Sequence, residues 1–417
     1  MTPADTRGAY RDALGWAAVA AAVRIAWLAR VPAVAAWDGL IYARTAARIA
    51  RGMGFVDTWN NLPPYRPTAF YPVGYPALLG AAYLIAGTAP WVAGALNVLA
   101  ATATTGLLAL LARRAWNRPG AWLAAGLYAL SPGAVMYAST LMTETVSGAL
   151  LVVTVWAASR HRDHGAARAR WGAPLAAGVL LGVGALVRPQ ALLLAPVVAC
   201  LTPGAPSWRA RARVLAVTGL ACAAVVLPWT VRNCIQLDGC ALVSVNGGSN
   251  LWIGTDPDAA GNYRTLRLGE GCDRVRGEVA KDRCYGRLAA RRIAADPRAW
   301  IALAPAKVTA LLDYEAAPAA YLSEAPGHPL TADCAARATR VLTAWHRAVL
   351  ALALLAALPL AGRPRWSPEA LLAAGAVVAS VAVHAVFFGG DRYHFVFAPL
   401  LALLAGGVLR RGRARPA

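Results

Sequence analysis

"PWVAGALNVLAATATTGLLALLARRAWNRPGAWLAAGLYALSPGAVMYA", residues 90–138, holds two apolar runs joined by a short linker that carries Arg113, Arg114 and Arg118. Each run is about 20 residues, the length an α-helix needs to cross the ~30 Å hydrocarbon core of a bilayer. A cationic linker between two such runs is what the positive-inside rule places in the cytoplasm. The stretch therefore reads as a helical hairpin through a membrane.

The rest of the chain repeats that pattern. Of its 417 residues 58% are hydrophobic and only 15% charged, against roughly a quarter charged in a soluble domain. The net charge of +21 would suit a nucleic-acid partner, but its distribution argues otherwise. Further arginines cluster between apolar runs: Arg160, Arg162, Arg168 and Arg170; Arg209, Arg211 and Arg213; Arg363 and Arg365; Arg410, Arg411, Arg413 and Arg415. The charge records topology, and no nucleic acid is called for.

Spans are expected near 14–36, 90–112, 119–138, 140–158, 171–187, 189–202, 214–231, 340–361, 367–388 and 392–409. The first run, Trp16 to Ala36, is too long for a signal-peptide core and reads as a retained span. Ten crossings put both termini in the cytoplasm. Tyr75 to Ala86 is apolar but rises only about 18 Å, so it reads as an interfacial or re-entrant helix. The short run 189–202 pairs with 171–187 as a hairpin turning near Arg188. The expected fold class is an all-α polytopic membrane protein with about 10 transmembrane helices, one domain over residues 1–417. Residues 37–89 form its first extracytoplasmic loop, with interfacial helices, and 232–339 a large, mixed extracytoplasmic region. Of the 20 acidic residues, all but Asp5, Asp12, Asp163 and Glu369 fall on or near that outer side.

Cys234, Cys240, Cys272, Cys284 and Cys334 lie in the outer region, where disulfides persist. Cys272–Cys284 is the preferred bridge, and the odd count leaves a thiol over. Cys200 and Cys222 sit in apolar runs as packing residues. There is no GxxxxGK[ST], and Lys281 and Lys307 are the only lysines, so no nucleotide or ATP is expected. "GVLLGVGA" (178–185) lies in an apolar helix, where small residues let helices approach closely. "TDPDAAG" (255–261) resembles a metal-binding DxD, but Pro257 and Gly261 favour a turn. No histidine- or cysteine-rich spacing indicates a metal.

The informative motifs form an ordered series. "AWDGLIYA" (36–43) is followed by "YRPTAFYPVGYPALL" (65–79), then Glu144 in "STLMTETVSGALL" and "ALVRPQALLL" (185–194). Next come "LPWTVRN" (227–233), "VSVNGGSNLWIGTDPDAAGNY" (243–263), Lys307 in "PAKVTALLDY", and "GGDRYHFVFAPLLALLAG" (389–406). In this order, across residues 36–406, the chain resembles the GT-C superfamily of integral-membrane glycosyltransferases. It is most similar to the branch holding protein O-mannosyltransferases and the aminoarabinose transferase of lipid A. The resemblance implies a multi-pass protein of a bacterial plasma membrane that works at the extracytoplasmic face. Its donor would be a polyprenyl-phosphate-linked sugar, and its acceptor a hydroxyl on a glycolipid, polysaccharide or protein. Such a reaction needs a base for the acceptor proton and cations for the departing lipid phosphate.

Asp38 matches the family's first-loop catalytic aspartate, and it also suits an N-cap of the following helix. Some relatives carry Asp-Glu here, where this chain has Asp38-Gly39. Glu144 could supply the second carboxylate, or serve as a hydrogen-bonded residue at the water boundary. Arg188 suits bidentate contact to the donor phosphate, or else snorkelling or a structural bridge to Glu144. Arg66, Lys307 and Arg392 are further phosphate-binding candidates and also ordinary interfacial anchors. Tyr71, Tyr75, Asn246 and His394 are candidate substrate-binding residues, with an aromatic belt, a glycine turn or simple packing as the alternative in each case. Arg44, Arg48 and Arg51 share one face of a helix, opposite Tyr42, Ala46, Ile49 and Met53, which describes an amphipathic helix meeting phospholipid head groups. Two other functions compete: a flippase or transporter of a lipid-linked sugar, and a scaffold in an envelope assembly. No inverted repeat in hydropathy supports the transporter.

Overall fold

The computed structural model describes residues 3–56, 64–160, 171–202, 205, 207–358 and 366–410. Asp163, Arg162, Arg168, Arg170, Arg363, Arg365, Arg411, Arg413 and Arg415 lie outside them. Among the described residues nineteen α-helices follow one another: α1 Pro3–Leu28, α2 Asp38–Ala50, α3 Gly74–Ala86, α4 Pro90–Ala115, α5 Arg118–Ala129, α6 Pro132–Met136, α7 Glu144–Ser159, α8 Gly172–Val187, α9 Ala195–Leu201, α10 Trp208–Gln236, α11 Gly247–Ile253, α12 Glu278–Ala295, α13 Pro297–Ala302, α14 Ala304–Leu312, α15 Ala317–Glu324, α16 Ala332–Ala357, α17 Pro368–Val386, α18 Asp391–His394 and α19 Ala398–Gly406. Among the described residues there is no strand, only the isolated bridges Val34–Thr140 and Val56–Pro67.

Five helical segments are long and apolar enough to cross a bilayer: α4, α10, α16, α17 and Asp391–Leu409, which runs through α18 and α19. The pair α5–α6 makes a sixth span bent by 47°. The remaining expected crossings are different objects. α7 and α8 have 16 residues each, about 24 Å of rise against ~30 Å of hydrocarbon. Pro189–Leu201 begins as a 3₁₀ turn. α1 stops at Leu28 rather than 36. Among the described residues, length and composition alone pick out five such helices, or six with the bent pair counted as one, while α7, α8 and Pro189–Leu201 are shorter apolar helices.

Irregular backbone at membrane depth must find hydrogen-bond partners inside the protein. At the α5–α6 break, Pro132 has no N–H to offer. The freed carbonyls of Ala129 (3.0 Å) and Tyr128 (3.3 Å) accept from Arg24, which is wholly buried in α1. Asn97 of α4 does the same for Tyr137, Ala138 and Thr140, at 3.1, 3.3 and 2.7 Å. α8 lies close along α10, where a Cβ on Gly182 would stand 2.6 Å from Val225. This is the close helix approach that small residues allow.

Residues 37–89 and 232–339 fold together. Arg232 donates to the carbonyls of Phe55 (2.7 Å) and Thr68 (2.8 Å), and its guanidinium lies 4.7 Å from the Trp229 ring. Asn233 donates to Ala241 O and Trp229 Nε1 to Val243 O. The PW-x-x-RN motif is therefore a clamp between the two segments. Disulfides join Cys272–Cys284, as expected, and also Cys234–Cys240, leaving Cys334 as a thiol. Cys222 is buried, whereas Cys200 is exposed. Asp256 accepts from Asp258 N and pairs with Arg264, so the DxD is the turn its proline suggests. α2 departs from the simple amphipathic picture: Arg44 and Arg51 are exposed, but Arg48 is buried with its guanidinium 3.8 Å from the Tyr65 ring.

Candidate active site

Between α1 and α2 the chain is irregular and ends on Trp37 at φ 46°, a left-handed conformation rare for a bulky residue. Its surroundings hold it there. Trp37 Nε1 donates to Glu324 (2.7 Å), and its ring meets Tyr321 edge-on at 5.4 Å. Tyr321 Oη accepts from Ala36 N and Leu141 N and donates to Val34 O, tying this loop to the start of the α7 region. Burial pushes the Tyr321 phenol up to about 12, so it stays a neutral donor. A Cβ at Gly39 would overlap Tyr321 Oη and stand 2.7 Å from the Leu141 carbonyl. Glycine after Asp38 is thus set by this packing.

Asp38 is the first residue of α2 and makes no side-chain cap. Its carboxylate points elsewhere: Tyr71 Oη donates to Oδ1 at 2.8 Å and Arg392 Nη1 to Oδ2 at 2.8 Å. The helix N-terminus still favours its negative charge. Burial, then the Asp38 charge, pushes the Tyr71 phenol upward, which keeps it protonated and donating. About a quarter of the Asp38 and Arg392 side chains remains exposed, 24% and 26%. The pair is open to a reactant.

A second ion pair stands beside the first. Arg188 Nη2 donates to Glu144 Oε1 at 2.6 Å and Arg188 Nε to Thr143 Oγ1 at 2.9 Å. Tyr393 joins the two pairs: Arg392 Nη2 donates to its hydroxyl at 3.0 Å, and the Arg188 guanidinium lies 5.5 Å from its ring centre. Arg188 Nη1 has no protein partner among the described residues. Glu144 is fully buried, with Oε2 unpartnered. A Cβ on Gly74 would stand 2.7 Å from the Leu186 carbonyl, so the GYP element is pressed onto the turn that presents Arg188.

An apolar groove runs from this cluster along the bundle. Leu150, Leu151, Thr154, Leu181, Gly184, Ala379, Val383 and Phe397 line it, and Arg188, His384 and Tyr393 stand at its polar end.

The other expected residues lie apart from these contacts. Arg66 is exposed. Tyr75 is fully buried, its ring edge-on to Tyr42 at 5.4 Å. Asn246 accepts from Ser244 Oγ and precedes α11. Lys307 is buried and donates to Val386 O at 3.0 Å, docking α14 on the end of α17. His394 is fully buried, with Nδ1 on Leu311 O at 2.7 Å. Tyr321 was not singled out in the sequence, and Tyr393 and Thr143 entered only as neighbours of Arg392 and Glu144.

Residues 71–231 match the sequence profile of a family described as dolichyl-phosphate-mannose-protein mannosyltransferase. Among solved structures, the oligosaccharyltransferase AglB of Archaeoglobus fulgidus, in complex with an inhibitory peptide and a dolichol-phosphate, is 16% identical over 95% of this chain, with a TM-score of 0.56. Its apo form superposes with a TM-score of 0.57, at 16% identity and 95% coverage. The chain shares the fold of these archaeal oligosaccharyltransferase structures. It spans about half of the archaeal enzyme, 50% of its length. ArnT of Cupriavidus metallidurans bound to undecaprenyl phosphate also matches, at 15% identity over 94% of this chain and 76% of its own, with a TM-score of 0.46. No curated protein matches the chain significantly. In this shared fold, Asp38 opens the first helix after α1 and Arg392 lies in the first turn of the last span.

Proposed function

We propose that this protein is a glycosyltransferase that moves a sugar from a polyprenyl-phosphate-linked donor to a hydroxyl acceptor at the extracytoplasmic face. The observation that carries the reading is the Asp38 carboxylate, held by Tyr71 and Arg392 and joined through Tyr393 to Arg188 at the polar end of an apolar groove. The same fold with dolichol-phosphate in AglB supports it.

The acceptor hydroxyl oxygen attacks the anomeric carbon of the donor, and its proton passes to Asp38. The bond between the anomeric carbon and the phosphate oxygen breaks, and its electron pair leaves on the polyprenyl phosphate. Arg188 and Arg392 stabilise that growing charge. Glu144 and Thr143 fix the plane of the Arg188 fork, and Tyr71 fixes the carboxylate. No nucleotide enters. Arg66, Tyr75, Asn246, Lys307 and His394 belong to the surrounding fold in this mechanism.

Two features support that sidedness. Both disulfides lie in the segment packed over this end of the bundle, which suits an oxidising compartment. The Asp5–Arg113 and Asp12–Arg118 pairs join α1 to the arginine-rich α4–α5 turn, at the end expected in the cytoplasm.

The test is Asp38→Asn in detergent-purified protein, supplied with a labelled polyprenyl-phosphate sugar and candidate acceptors. A fall in kcat of about 10²–10⁴ with unchanged folding is expected. Full turnover by that variant would sink the base assignment. Formation of a glycosidic bond in detergent, without vesicles, also separates a transferase from a flippase.

A further inference from the structure

Behind the Asp38–Arg392 pair, three chain-distant residues converge: Glu315 after α14, His346 in α16 and His394 in α18. All are at least nine-tenths buried, 5%, 4% and 0% exposed. Their ligand atoms lie within 4.8 Å of one another, and His394 Nε2 is 3.6 Å from Glu315 Oε2. Each imidazole has its other nitrogen on a backbone carbonyl: His394 Nδ1 on Leu311 O at 2.7 Å and His346 Nε2 on Leu312 O at 2.9 Å. A carbonyl only accepts, so those nitrogens carry the hydrogens. In the neutral rings, His394 Nε2 and His346 Nδ1 are then bare lone pairs.

Glu315 Oε1 and His394 Nε2 have no hydrogen-bond partner. A carboxylate and imidazole lone pairs crowded together repel one another, and no protein donor meets Glu315 Oε1 or His394 Nε2. A proton on His394 would serve one pair of atoms and leave the third acceptor unmatched. A dication serves all three.

We propose that Glu315, His346 and His394 form a buried site for one divalent cation of the zinc class. Two imidazole nitrogens and one carboxylate oxygen are the protein ligands of an open tetrahedral site, with water in the fourth place. Ligands of such an ion lie about 3.3 Å apart, close to the 3.6 Å between His394 and Glu315. The carbonyls of Leu311 and Leu312 orient the two rings, the usual partnership of a metal-bound histidine. The rings stack at 3.9 Å with a 20° interplanar angle, so loading the ion opens that stack.

The site's role is positional. Its ligands tie the α14–α15 turn to α16 and to the start of the last span. Asp391 strengthens the same joint by accepting from Ala316 N and Ala317 N, both at 2.6 Å. His394 is two residues from Arg392, so the ion braces the backbone that aims Arg392 at Asp38.

The experiment strips detergent-purified full-length protein with chelator and titrates it with Co(II). One equivalent with the intense visible bands of tetrahedral Co(II), and a higher melting temperature, is expected. Glu315→Gln and His394→Gln should each weaken Co(II) binding by more than the roughly 10–100-fold that losing an orienting partner of a ligand costs, while Asp38→Asn keeps it. No stoichiometric binding by the wild type, retention in both triad variants, or loss in Asp38→Asn overturns the proposal. Should the triad variants misfold, zinc-edge X-ray absorption of the wild type decides: two imidazole ligands support the site, and fewer overturn it.

Discussion

Asp38 and Arg392 are 354 positions apart and meet in a 2.8 Å ion pair. The carboxylate at the start of α2 is thereby aimed by the first turn of the last span, and neither end of the chain holds the site alone.

Arg392→Ala is expected to leave Asp38 free to rotate and to lose one cation. The anticipated fall in kcat is about 10²-fold. Arg392→Lys should recover part of it, since an ammonium can reach Asp38 Oδ2 but cannot also fork to Tyr393. Initial rates with a labelled donor, with circular dichroism as the folding control, decide this.

Removing Arg188 has two separable effects. The donor KM should rise about 10–100-fold, the worth of one or two charge-assisted hydrogen bonds. The buried Glu144 also loses its ion-pair partner, which should cost about 3–5 kcal/mol. Adding Glu144→Gln to Arg188→Ala should restore the melting temperature and leave KM high. Recovery of both would return Arg188 to a structural role.

Gly39→Ala tests the packing under Asp38. The new methyl meets Tyr321 Oη and the Leu141 carbonyl, and such overpacking costs about 1–3 kcal/mol. Transfer should fall further than the melting temperature suggests, because the displaced turn carries the base. Paired rate and melting measurements would show it.

Lys307 should make stability depend on alkaline pH. Burial pushes its ammonium down to about 8 from 10.5. Between those values the folded state binds fewer protons than the unfolded, so stability rises with pH in that window. Below pH 8 the buried charge is a standing penalty. The difference in melting temperature between wild type and Lys307→Met should favour the variant at pH 7 and shrink towards pH 10.

The readable part of this protein was whatever obeys a local period. Apolar runs bounded by arginines located α4, α5, α10, α16 and α17, because span length and charge placement are local rules. Asp38, Glu144, Arg188, Arg392 and Tyr71, carried by the motif order, do meet in one cluster. What escaped was convergence. Glu315, His346 and His394 have no shared spacing, so only the fold brings their lone pairs together. Arg232 stood in the sequence only as part of a motif, and its role in holding the carbonyls of Phe55 and Thr68 needs the fold to be seen. Arg48 sits on the polar stripe of α2, yet Tyr65 covers it, a tertiary contact that helical periodicity cannot reveal. Span boundaries were harder to read for the same reason: a run of apolar residues does not show where the backbone leaves the helix to present a side chain.

Arg24 adds a constraint in time. Its guanidinium donates to Ala20 O in its own helix and to the carbonyls of Tyr128 and Ala129, which lie 104 and 105 residues later in the chain. At about 5–20 residues per second, the ribosome needs about 5–20 s to make them. Through that interval the Ala20 carbonyl is its one protein partner of the three, and water or a lipid head group must stand in for the other two. The first helix therefore has to wait beside the insertion machinery, or at the membrane surface, until the bent α5–α6 pair arrives to receive it. The order of synthesis is written into that one side chain.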